Sequence, residues 1–78
     1  MDKVEIIAQA NHAKRLLEDE TLLEAFVQVE ADIYTEWRTT AIGDERQRSD
    51  LFHTLKGLER LKARLQATLD AGVLASRN

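Results

Sequence analysis

The sequence predicts an all-α fold, on three observations. Proline is absent and glycine occurs only at positions 43, 57 and 72, so little in the chain interrupts a helix. Leu and Ala are the commonest apolar residues while aromatics make up only 5%, a composition that favours helix over strand. Apolar residues recur at steps of three and four along most of the chain, the spacing that lines one face of a helix. Seventy-eight residues leave room for a single small domain, residues 1–78, and exclude a multidomain enzyme.

The first helix is expected over about residues 2–18, where Val4, Ile7, Ala10, Ala13 and Leu17 form a stripe rich in small residues. Glu18, Asp19 and Glu20 then read as a bend between two helices rather than the exposed side of one long kinked helix. The second helix, about residues 20–41, carries Leu22, Phe26, Val29, Ile33 and Trp37 on one stripe, widened by Leu23, Val27 and Tyr34. Its start has two solutions, a capping box from Thr21 to Glu24 or a cap from Asp19.

Gly43 and Asp44 mark the clearest boundary, with Gly43 suited to the left-handed conformation that closes a helix and Asp44 able to cap the next. Gln47, three residues on, completes a capping-box pattern. The third helix, about residues 44–72, follows Leu51, Leu55, Leu58, Leu61, Leu65 and Leu69. Gly57 within it suits a close approach by another backbone, Gly72 reads as its stop, and residues 73–78 as a frayed tail. Arg46 and Arg48 in its first turn oppose the helix dipole, which leaves two readings, a partner carboxylate or ordinary sequence drift.

The short connection predicts that helices two and three form an antiparallel hairpin, with helix one added to it. Charge favours that pairing: residues 1–43 carry nine acids and four bases, net −5, whereas residues 44–78 carry five acids and seven bases, net +2. A core this small supplies only a few kcal/mol, and Leu16, Leu23, Val27, Ile42, Phe52 and Leu74 fall beside the main stripes. The expectation is an oligomer or a partner-binding face. Leu23, Val27, Tyr34, Trp37, Phe52 and Leu55 are the residues expected in that core or interface.

Enzyme chemistry finds no support in the pattern. There is no cysteine, no glycine-rich phosphate loop and no candidate triad, and Glu30, Asp32 and Glu36 read as solvation of helix two. His12 and His53 lie on different helices and neither has a second His at i+4, so no metal or other cofactor and no small-molecule substrate is expected. The apolar stretch near the N-terminus is too short for a signal-peptide core, and no run approaches the length that spans a bilayer, so membrane association is not expected. His53, Lys56, Arg60 and Arg64 follow one face of helix three and form the only nucleic-acid signal, set against a net charge of −3.

Ala13-Lys14-Arg15-Leu16-Leu17-Glu18-Asp19, Leu23-Glu24-Ala25-Phe26, Trp37-Arg38-Thr39-Thr40, Asp44-Glu45-Arg46-Gln47-Arg48 and the Leu-rich third helix together resemble small proteins encoded in tailed-phage and prophage genomes. The similarity covers about residues 10–72. It implies a phage-assembly or virion-associated helical protein, placed in the host cytoplasm or the virion, that binds itself or a larger phage protein. It carries no functional residue across. Two other roles remain open on the sequence: a nucleic-acid packaging accessory that uses the basic row, and an inhibitor whose acidic surface, including Glu18, Asp19, Glu20, Glu30 and Asp32, occupies a basic site on a host protein.

Overall fold

A computed structural model describes residues 2–77 as three helices, with no strand among them: α1 (Lys3–Glu18), α2 (Glu20–Arg38) and α3 (Glu45–Ser76). Each start is set by an aspartate. Asp2 accepts from the Glu5 N–H at 2.9 Å, Asp19 from Leu22 at 2.9 Å, and Asp44 from Gln47 at 3.1 Å, each satisfying a donor that the first helical turn leaves unpaired. Of the two starts open for α2, the Asp19 cap is therefore the one used. The Asp44 N–H donates to the Ala41 carbonyl, so only the forward half of the expected capping box forms.

The bend between α1 and α2 is a single residue. Asp19 leaves the helical region (ψ 117°) and ends α1 while capping α2. The reason lies in phase. From Ala10, Ala13 and Leu17 the inward positions advance by three and four, but the next, Leu22, comes five later and would point roughly 140° away on an unbroken helix. Breaking at Asp19 brings Leu22, Phe26 and Ile33 back to the same side.

α2 ends at Arg38, three residues before the expected boundary. The Thr39 and Thr40 hydroxyls donate to the Glu36 carbonyl at 3.2 and 2.8 Å, competing with continued helix, and Gly43 (φ +95°) turns the chain into α3. At the other end α3 does not stop at Gly72. It continues to Ser76, with Gly72 buried inside it; Asn78, at the end of the expected tail, lies outside the described residues.

The molecule is elongated, 54 × 23 × 15 Å. Ala10 meets Gly72, Glu30 reaches Lys62, and Ile33 and Trp37 share a groove with Leu55 and Leu51. Rising residue numbers along α1 and α2 thus meet falling numbers along α3. α1 packs more extensively on α3 than α2 does, although the sequence directs attention to the α2 pairing. Side-chain size accounts for the difference. Ala10, Ala13 and Gly72 are all buried and let the two backbones approach closely, so that a Cβ on Gly72 would collide with that of Ala10. Phe26 and Ile33, buried on α2, hold it further from α3.

The hydrophobic core is correspondingly small, consisting of Ala10, Ala13, Phe26, Ile33 and Leu51. Several residues assigned to inward stripes are exposed, among them Val4, Val29 and Leu61. Lys62 takes the seam position given to Leu61. Leu51, Leu55, Leu58, Lys62, Leu65, Leu69 and Gly72 then advance by alternating fours and threes, the repeat of two packed helices. The Lys62 ammonium lies 3.2 Å from Glu30 Oε1 and 5.7 Å from the Phe26 ring centroid, so its stem covers the seam while its charge stays in water.

Candidate protein-interaction face

Toward the α2–α3 connection the two helices leave between them an open groove of about 260 Å³, lined by Ile33, Tyr34, Trp37, Leu51, Phe52 and Leu55. Ile33 and Leu51 are its buried floor, held there by the inward stripes of their helices. Tyr34, Trp37 and Phe52 form its rim at 56%, 53% and 55% exposure. Three aromatics half open to water on so short a chain are an apolar surface without an internal partner.

Of the six residues expected in core or interface, the structure brings Tyr34, Trp37, Phe52 and Leu55 together around this groove. Leu23 and Val27 lie further along α2, both exposed, and continue the Tyr34 side of that helix at steps of four and seven. Ile33 and Leu51 belong to the site as well. Their inward-stripe spacing marked them as core, and only the packing shows that the same side chains floor the groove.

The basic row is not a single electrostatic unit. Lys56 is 3.2 Å from Glu59 and 5.5 Å from the centre of the Phe52 ring, which ties it to the rim of the groove. His53 Nδ1 lies 2.7 Å from the Ser49 carbonyl, the geometry of a ring N–H donating one turn back, and its ring meets Phe52 edge-on at 5.8 Å. Arg60 and Arg64 flank a shallow depression with Ala63 and Ala67. His12 pairs with Arg15 at 2.9 Å on α1, far along the chain from His53.

Among the described residues no polar or charged residue is buried, and no group of three or more His, Cys, Asp or Glu residues is placed to hold a metal ion. Of the three acids weighed on α2, Glu30 pairs with Lys62 and Asp32 accepts from the Gln28 amide at 3.0 Å. Arg48 reaches the Ala41 carbonyl at 3.4 Å, where one of the two readings has a carboxylate. No helix is long and apolar enough to cross a membrane among the described residues. No protein-family model, curated protein or solved structure matches the chain.

Proposed function

We propose that this chain is a non-enzymatic protein-interaction module whose working surface is the groove of Tyr34, Trp37 and Phe52. The observation that carries the reading is the exposed aromatic rim over an apolar floor, where only five hydrophobic residues are buried among the described residues. Aromatic side chains of this kind supply much of the energy where proteins associate. α1 and α2, laid end to end against α3 in an antiparallel arrangement, act as a short rod that presents the groove near one end. The sequence resemblance to tailed-phage proteins supports a role in virion assembly, in the host cytoplasm or the virion, with a second copy or a larger phage protein as the partner.

Cross-linking in the expressing cell, followed by mass spectrometry, tests the reading. Wild-type protein is expected to give specific cross-linked products, self-products included, that Phe52→Glu removes. Products that are the same in the variant, or none at all, contradict it.

A second reading, a nucleic-acid packaging accessory, is favoured by one observation: Arg60 and Arg64 flank a shallow strip of small residues that a phosphate backbone could approach. The net charge of −3 weighs against it.

A further inference from the structure

Resting on the interaction-module reading, we infer that the occupant of the groove is a second copy of this chain, joined in a two-fold dimer that lays α2 of each copy on α3 of the other.

Surface area supplies the first argument. A folded chain of 8.9 kDa is expected to expose about 4,800 Å². This one exposes 6175 Å², an excess of about 1,400 Å² over that scaling. A standard interface takes about 800 Å² from each partner, and homodimers whose subunits fold together bury more than about 2,000 Å² in total. Two copies that each covered their excess would bury about 2,700 Å², within the range of such obligate homodimers. The excess has a structural cause. The rod is two helices thick, and its helices part toward the connection because α2 has large inward residues where α1 has Ala10 and Ala13.

Charge supplies the second argument and selects the partner. α2 carries five acids and one base, whereas α3 carries six bases and four acids. Each copy thus presents one apolar strip on a net acidic α2 and another on a net basic α3. Two such surfaces complement each other when the two-fold axis runs along the rod, because α2 then faces α3 across the interface in both directions. Tyr34 and Trp37 of one copy meet Phe52 of the other. A pairing of α2 with α2 would oppose like charges.

Sedimentation velocity over a hundredfold concentration range tests the dimer, with Phe52→Glu on α3 and Tyr34→Arg on α2 as independent variants and circular dichroism to check that each remains helical. The wild type is expected to be a dimer, and each helical variant to raise the dissociation constant at least tenfold. If one variant fails to fold, the other decides. A monomer at every concentration, or a dimer that neither variant weakens, overturns the inference. A monomeric wild type that still forms Phe52-dependent cross-links to a different protein overturns the second copy alone. A monomer without such cross-links overturns the interaction reading as well.

Discussion

Exchanging a methyl group across the α1–α3 seam measures the close approach on which the fold depends. Gly72 is inside α3, where Ala is intrinsically favoured by about 1 kcal/mol. Its substitution by Ala nevertheless puts a Cβ into that of Ala10, while the Ala10 Cα and the Ile6 carbonyl oxygen, both 3.5 Å away, remain at ordinary contact distance. Both colliding atoms are fixed to helical backbone, so neither can rotate aside. The helices must separate, and Ala10 and Ala13, now 4% and 3% exposed, lose their packing. Overpacking of this type costs about 1–3 kcal/mol. Net of propensity, Gly72→Ala is expected to destabilise by about 1 kcal/mol. Ala10→Gly loses about 1 kcal/mol of propensity and about 0.8 kcal/mol from one buried methyl. The double variant moves the methyl to the other side of the seam without crowding it, and its stability is expected to return to within about 0.5 kcal/mol of wild type instead of falling by about 3 kcal/mol. Urea and thermal unfolding at fixed protein concentration read this directly, since 1 kcal/mol moves Tm by about 4–8 °C in a domain of this size. Additive losses in the double variant would refute the close approach.

The other glycine in α3 is expected to behave in the opposite way: nothing lies within 4 Å of a Cβ at Gly57, so Gly57→Ala should raise stability by about 0.5–1 kcal/mol in the same unfolding assay, and a loss would show that a backbone approaches there. Asp19→Ala removes the cap of α2 and should cost about 1 kcal/mol, with helicity measured by circular dichroism reduced as the first turn of α2 loosens; an unchanged Tm would mean that the cap contributes nothing. Glu30→Gln breaks a partly exposed ion pair and should change stability by less than about 1 kcal/mol, a difference that shrinks further in high salt; a larger loss would show a stronger link between α2 and α3. If the basic strip binds nucleic acid, affinity for a DNA duplex should fall steeply with salt and lose slope in an Arg60→Gln, Arg64→Gln variant, whereas no binding at low salt rejects that reading.

Much of the local structure was legible because short-range chemistry decides it. Asp44 after Gly43, the acidic bend around Asp19 and the burial of Phe26 and Ile33 on α2 all announce themselves within a few residues. What lay hidden depends on the opposing helix. Gly57 and Gly72 look alike in sequence, yet only Gly72 faces a methyl group on another helix, so the close approach expected at Gly57 is found at Gly72 and neither glycine ends the helix. The leucine spacing points to Leu61, but the alternation along the seam falls on position 62, where a long aliphatic stem covers apolar surface and still reaches Glu30. The small residues of α1 carry little weight where burial is judged by side-chain size. At this seam, small size is what permits the packing.

The aromatic rim was legible residue by residue but not as a groove. Trp37 and Ile33 belong to one stripe of α2 and Tyr34 to its flank, while Leu51 and Phe52 are adjacent residues on different sides of α3. Only the separation of α2 from α3 turns these five, with Leu55, into one concave surface. That separation follows from Phe26 and Ile33 being large where Ala10 and Ala13 are small, a comparison between two helices that neither stripe contains alone.

Trp37 is the only tryptophan, half exposed on the rim of the groove, and reports directly on whether that face is covered. Acrylamide quenching of its fluorescence, followed from dilute to concentrated purified protein, is the most direct measurement. Quenching should fall, and emission shift to the blue, in step with the rise in mass as the groove is occupied. Tryptophan as accessible in the concentrated wild type as in the Phe52→Glu variant would contradict assembly through this face.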